Sequence, residues 1–374
     1  MNKHRSILLM YITKVSGHRQ ATLAIEESLT QFEPTVEITS INGFGYTYPI
    51  LEKVVSGAYM GIIKKTPQVW DYLYDNPKVI KKSESLKNFL HKTSHKKLAK
   101  LLDKCTPDTV VCTQAFPCGM VADYKVKNNL KFKIVAVLTD FYPHYYWISP
   151  GVDYYVVPCQ EAKERLVESG VSPEQIKMLG IPIHTKFSAA LNKRNIQEKV
   201  GVHPNLPTIL VMGGGHGLGP LKKVVKSLED LSVNFQMIVV TGINKKLSRW
   251  LKKISPKSSK KIIYYEYARN VEELMEISDL IVTKPGGLTT SECLVKGVPM
   301  IIVDPIPGQE ERNAQFLIRN GIGIKVKNLD TIGTHVESLL KNPERLSQMR
   351  TAALAHGYPQ AAKDIARLIL QTDV

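Results

Sequence analysis

The chain is 374 residues long, more than one hydrophobic core usually spans, so two domains are expected. Its 43% hydrophobic and 22% charged residues exclude disorder as the default, and no run of about 18 apolar residues exists that would cross a bilayer as a helix. Fifty Lys and Arg against 34 Asp and Glu give a net charge of +16, which points to an anionic partner: nucleic acid, anionic lipid headgroups or a phosphorylated substrate.

Residues 6–12 follow Lys3, His4 and Arg5 and faintly imitate a signal peptide, but the run is short and lacks a small-residue cleavage site, so it reads as the first strand. A helix over 19–32, a strand over 36–41, strands at 109–113, 133–139 and 153–157 and a helix over 160–169 continue the series. This βα alternation predicts a parallel sheet. After Gly180-Ile181-Pro182-Ile183 a polar segment from 186 to 207 interrupts the pattern. A second series follows: strand 208–212, a Gly-rich turn, helix 220–231, strands 235–241 and 261–265, helix 271–277, strand 279–283, helix 288–296, strand 299–303 and a last helix over 360–370. Two Rossmann-like α/β halves joined near 183–206 is the economical architecture. Five cysteines, Cys105, Cys112, Cys118, Cys159 and Cys293, form no CxxC pair and no even framework, so a reducing cytoplasm is expected and no metal site.

Chemistry concentrates after the strands. Lys284-Pro285-Gly286-Gly287-Leu288-Thr289-Thr290-Ser291-Glu292 reads as strand end, Gly-rich turn and helix N-terminus, where backbone N–H groups approach phosphate oxygens and Glu292 can accept hydrogen bonds from a ribose. Pro305-Ile306-Pro307-Gly308-Gln309-Glu310-Glu311-Arg312-Asn313 follows the next strand. The loop Gly213-Gly214-Gly215-His216-Gly217-Leu218-Gly219 fits GxGxxG in no register, and Val240-Thr241-Gly242-Ile243-Asn244 lacks the acidic residue that holds an NAD ribose. A dinucleotide oxidoreductase is therefore disfavoured, and no GxxxxGK[ST] supports a P-loop NTPase. In the first half, Ser16-Gly17-His18 opens a helix after a strand, and Asp140 and His144 follow another strand end. A carboxylate beside an imidazole fixes its tautomer and raises its basicity, which suits deprotonation of an alcohol, and the general base is open among His18, Asp140 and His144.

The SGHxxA start, the Val137-Leu138-Thr139-Asp140-Phe141 segment, the GGG loop and the KPGGLTTSE and PxPGQEExNA motifs together resemble family 28 glycosyltransferases of GT-B architecture. Within them they resemble the diacylglycerol glucosyltransferases and monogalactosyldiacylglycerol synthases. The resemblance implies two Rossmann-like domains facing a cleft, with an acceptor and membrane domain over 1–183, a linker over 184–206, a UDP-sugar domain over 207–355 and a C-terminal helix over 356–374 packing back toward the first domain. It implies that Tyr267 and Ala268 flank the uracil, Glu292 holds the ribose, Gly287, Leu288 and Thr289 contact the diphosphate, and Gln309 and Glu310 bind sugar hydroxyls. Gly214, Gly215, Asn244, Gly286 and Asn313 complete the implied donor site. His18 becomes the general base and Asp140 its orienting or alternative partner, in an inverting displacement of UDP that needs no metal or other cofactor. The donor is UDP-glucose or UDP-galactose and the acceptor diacylglycerol. A polyprenyl-linked acceptor is the alternative within enzymes, and a non-catalytic membrane or nucleic-acid binding module the alternative outside them.

A lipid acceptor requires a bilayer, and residues 43–104 offer a route, with Tyr59, Met60, Ile63, Lys64, Lys65 and Trp70 as candidate contacts and nine lysines from Lys78 to Lys104. A peripheral place on the inner face of the cell membrane is expected. A second lysine group from Lys245 to Lys261 reads as solvated surface, and no nucleic-acid motif accompanies it.

Overall fold

The computed structural model describes residues 5–13, 16–50, 52 and 77–371, with backbone alone over 77–90. It divides into two compact units, Met1–Thr185 with Pro307–Gln309 and Gln360–Val374, and Lys186–Ile306 with Glu310–Pro359.

The first unit runs β1 (Ser6–Tyr11), α1 (Gly17–Phe32), β2 (Glu37–Asn42), α2 (Gly43–Thr47), α3 (Pro77–Cys105), β3 (Thr109–Cys112), α4 (Ala115–Lys127), β4 (Lys133–Val137), β5 (Tyr154–Val157), α5 (Gln160–Glu168) and β6 (Ile176–Met178). Its six strands pair in parallel in the order β2-β1-β3-β4-β5-β6. Central strands β1 and β3 are apolar and buried almost throughout, as strands covered on both faces must be. One face closes through Ile7, Leu9, Val111, Val135 and Val137 against Ile25 and Leu29 of α1. The last helix of the chain, α14 (Ala361–Gln371), joins this same core through Ile365, Ala366 and Ile369, and Arg5 donates to the Leu370 carbonyl at its end. The C-terminal helix thus packs back on the N-terminal domain. Over 91–105 of α3, His91, Ser94, Leu98, Leu101 and Leu102 face inward while Lys92, Lys96, Lys97, Lys100 and Lys104 are exposed.

The second unit runs α6 (Lys193–Val200), β7 (Thr208–Met212), α7 (Leu221–Glu229), β8 (Gln236–Val240), α8 (Lys245–Ile254), β9 (Lys261–Tyr265), α9 (Val271–Glu276), β10 (Leu280–Thr283), α10 (Gly287–Lys296), β11 (Met300–Ile302), α11 (Gln309–Arg319), β12 (Gly323–Lys325), α12 (Ile332–Leu340) and α13 (Pro343–Ala355). The sheet order is β12-β11-β10-β7-β8-β9, again all parallel. The polar segment after residue 186 is not simply a linker. Asn192 caps α6 by accepting from the Asn195 N–H at 3.1 Å, Ile196 and Val200 bury one face, and Gly201 ends it at φ +80°. Among the described residues no helix is long and apolar enough to cross a membrane.

Candidate active site

In the first unit the candidate residues lie at the C-terminal edge of the sheet, where doubly wound folds bind ligands. Ser16 caps α1, its hydroxyl accepting from the Arg19 N–H at 3.2 Å, which sets His18 in the first turn. His18 Nδ1 lies 2.9 Å from the Thr113 carbonyl oxygen and 2.9 Å from Thr139 Oγ1, just past the ends of β3 and β4. A carbonyl has no proton to give, so Nδ1 carries one and Nε2 keeps its lone pair. The Thr22 and Thr113 hydroxyls both reach the His18 carbonyl oxygen at 3.0 Å and lie 3.0 Å from each other, locking the turn to the sheet. Loss of solvent lowers the His18 pKa to about 4, opposed by the Thr113 hydrogen bond, so the ring is neutral near pH 7.

Asp140, half-buried, follows Thr139 directly. The groups that meet Nδ1 of the His18 ring are the Thr113 carbonyl and the Thr139 hydroxyl. His144 caps the short turn that follows it. Its Nδ1 accepts from the Tyr146 N–H at 3.2 Å and its ring stacks on Tyr146, with centroids 4.7 Å apart. Arg165 pins this loop, its guanidinium 4.0 Å from the Tyr142 ring centroid and its Nε donating to the Pro143 carbonyl at 3.1 Å.

In the second unit the loops after β7, β8, β9, β10 and β11 line the C-terminal edge of the other sheet. The glycine loop and the Thr241–Asn244 loop interlock. The Ile243 N–H donates to the Gly215 carbonyl at 3.1 Å and Asn244 Nδ2 to the Gly217 carbonyl at 3.1 Å, while Asn244 Oδ1 caps α8 through the Leu247 N–H. A Cβ on Gly217, at φ +58°, would sit 1.9 Å from the Thr241 carbonyl oxygen, so only glycine fits. Gly214 and Gly215 are left exposed.

Gly286 precedes α10 without any side-chain cap, so the first-turn N–H groups of a ten-residue helix are available to an anion. Lys284, Asp304 and Glu310 gather beside it. The Lys284 ammonium is 3.4 Å from Asp304 Oδ2 and 3.8 Å from Glu310 Oε2, and its methylenes pack on Gly219 of the glycine loop. Glu310 Oε2 accepts from the Ile306 N–H at 2.7 Å. Burial raises the Glu310 pKa while Lys284 and that N–H hold it down. Glu292, one turn into α10, is pushed up to about 8 by desolvation, with Lys186 opposing and Glu272 reinforcing. α9, which carries Glu272, packs on α10 and begins just after the exposed Tyr267 and half-buried Ala268.

The KPGG turn and the Glu310–Asn313 stretch of α11 therefore lie together, with Gly287, Leu288 and Thr289 in the first turn of α10. Two implied contact residues have other work. Asn313 is fully buried and donates to the Pro285 carbonyl at 3.0 Å, so it braces the KPGG turn from beneath, and both ends of the Asn244 amide are used within the loops. Lys284 belongs to the site though its spacing in the motif gave no pairing. Tyr59, Met60, Ile63, Lys64, Lys65 and Trp70 lie outside the described residues.

Two family models divide the chain: monogalactosyldiacylglycerol (MGDG) synthase matches residues 18–183, and the glycosyltransferase family 28 C-terminal domain matches 208–365. The processive diacylglycerol beta-glucosyltransferase of Bacillus subtilis (strain 168) is 31% identical over 94% of this chain and 91% of its own length. Its counterpart in Bacillus cereus (strain B4264) is 29% identical over 99% of this chain and 94% of its own. Among solved structures, MurG of Acinetobacter baumannii matches with a TM-score of 0.67 at 15% identity, over 98% of this chain and 100% of that one. The UDP-GlcNAc 2-epimerase of Neisseria meningitidis, bound to UDP-GlcNAc, matches at 0.61 and 14%, with the same coverage. At these identities the two structures share the fold with this chain.

Proposed function

The chain belongs to glycosyltransferase family 28, in the branch of the diacylglycerol glycosyltransferases, and from that premise we propose that it moves glucose from UDP-glucose to the free hydroxyl of diacylglycerol with inversion. Glucose is chosen over galactose because the Bacillus relatives, similar over almost their whole length, carry the name of beta-glucosyltransferases. The observation that carries the chemistry is the seat of His18, whose Nδ1 lies 2.9 Å from the Thr113 carbonyl oxygen, which puts the Nδ1 proton there and leaves the Nε2 lone pair to take a proton.

In this reading Nε2 removes the acceptor proton as the hydroxyl oxygen bonds to the anomeric carbon and the bond from that carbon to the UDP oxygen breaks. Asp140 stands next to Thr139 to receive the acceptor or the developing imidazolium. The uncapped start of α10 and the Lys284 ammonium take up the charge of the departing diphosphate. Glu292 receives the ribose hydroxyls, Tyr267 and Ala268 the uracil, and Gln309 with Glu310 the sugar. Beta product from an alpha-linked donor is the stereochemical sign of a single displacement. The insoluble acceptor brings the enzyme to a bilayer as a peripheral protein.

The test supplies purified protein with UDP-glucose or UDP-galactose and diacylglycerol in detergent micelles, with UDP release and lipid products followed by mass spectrometry. Glucosyl-diacylglycerol is the expected product. Preference for galactose overturns the donor, transfer only to a polyprenyl-linked lipid overturns the acceptor, and absence of UDP release with every pair overturns the enzyme.

A further inference from the structure

Residues 220–261 hold eleven Lys and Arg against two acidic residues, Glu229 and Asp230, and so carry more than half of the net charge of +16. The topology gathers them on one surface. Strands β7, β8 and β9 are parallel neighbours in chain order, and right-handed crossovers stepping in one direction put α7 and α8 on the same face of the sheet. Val224, Val225 and Leu228 of α7 and Leu247 and Leu251 of α8 close over a common core there. With the apolar positions turned inward, the lysines are left outward: Lys223, Lys226, Lys246, Lys252 and Lys253 are all exposed. Lys222 lies 5.3 Å from the Trp250 ring centroid and joins the two helices.

Several other cations of the same unit have a carboxylate partner. Exposed Lys199 is paired with Glu273 at 2.8 Å and exposed Lys341 with Glu337 at 2.7 Å, and half-buried Lys325 with Glu311 at 2.6 Å. Among the described residues none of the exposed cations of α7 and α8 enters an ion pair. Like charge held at close spacing without counter-charge repels itself within the fold, and an anionic surface relieves that repulsion on contact. Lysine dominates, with Arg249 the one arginine, and lysine is a compact point charge suited to diffuse headgroups and not to bidentate recognition. No exposed aromatic side chain stands in 220–261 to stack a base; Ile243 is the one large apolar residue exposed there.

We propose that the outer faces of α7 and α8 form a docking surface for an anionic lipid bilayer, separate from the contact expected of residues 43–104. The choice of a bilayer over other polyanions rests on the lipid acceptor proposed above; the surface itself rests on its charge. The experiment compares the full chain with two variants, Lys223, Lys226, Lys252 and Lys253 all replaced by Glu, and the same four replaced by Arg. Sedimentation is measured with phosphatidylcholine vesicles with and without phosphatidylglycerol. Thermal melting, UDP calorimetry and transfer to diacylglycerol in detergent micelles are followed alongside. The Glu variant is expected to lose anionic-vesicle binding about tenfold or more, the Arg variant to keep it, and all three proteins to melt and bind UDP alike. Anionic-vesicle binding by the Glu variant equal to the wild type overturns the surface, as does wild-type binding that single-stranded RNA displaces from vesicles at lower charge concentration. Absence of micellar transfer by the wild type, with the vesicle pattern intact, refutes the proposed reaction and leaves the surface standing.

Discussion

At the scale of single residues, the protonation states decide what the site can do. His18 titrates at about 4 in the fold against an ordinary value near 6.5, so it favours the neutral form. The sign follows: stability is lost as pH falls from about 6.5 toward 4, and the ring stays neutral throughout the neutral range. The acid limb of kcat/KM assigned to His18 therefore lies below pH 5, and His18→Ala lowers kcat by about 10²–10⁴ while UDP affinity is unchanged. A pH–rate profile with a His18-dependent limb near 6.5, or wild-type turnover by the variant, sinks the role. Glu292 goes the opposite way, raised to about 8, so ionisation costs the fold stability as pH rises from about 4.5 through 8. Ribose hydroxyls donate to the ionised form, hence UDP affinity is expected to rise about tenfold between pH 7 and 9 and the rise to vanish in Glu292→Gln. Calorimetry that shows the same slope in both proteins rejects this assignment. His18 and Glu292 were legible because each sits at a fixed offset from a strand end and a glycine. Thr113 was not, since 95 residues separate it from His18 and only the β1-β3 pairing brings the two together.

Elements show how these residues are held. α1 carries His18 and is covered by α14, where Ile365 and Ile369 are fully buried and the Arg367 guanidinium lies 4.9 Å from the Phe32 ring centroid. The C-terminal helix is thus part of the support of the helix that carries His18. Ile369→Ala is expected to destabilise the fold by about 2–5 kcal/mol, through lost burial and the cavity it leaves, without touching the donor loops. Denaturant melts that shift by less than about 1 kcal/mol, or an altered UDP affinity, contradict that separation. Strands were the most legible elements, because both sheets are parallel and read as continuous apolar runs. Short amphipathic helices were less so. α8 has Leu247, Trp250, Leu251 and Ile254 at helical spacing, but five lysines and arginines in ten residues make the segment read as plain surface. α6 hides in a polar stretch for the same reason, with Ile196 and Val200 its two buried anchors.

For the molecule as a whole, the charge is not spread. Residues 78–104 hold nine lysines against Glu84 and Asp103, and residues 220–261 hold eleven basic residues against two acidic ones; the remaining chain has 30 of each sign. Two segments, one in each unit, thus account for the entire +16. Concentrated charge has two effects that salt moves in opposite directions. Screening shortens from about 10 Å at 0.1 M to about 3 Å at 1 M, which weakens attraction to an anionic bilayer and also relieves repulsion among the lysines of each segment. Raising NaCl over that range is therefore expected to release the protein from anionic vesicles about tenfold or more while its melting temperature stays level or rises. Sedimentation that is indifferent to salt argues for apolar insertion in place of electrostatic docking. A melting temperature that falls together with binding argues that release reflects loss of the fold, and either result removes charge as the reason this chain is so basic.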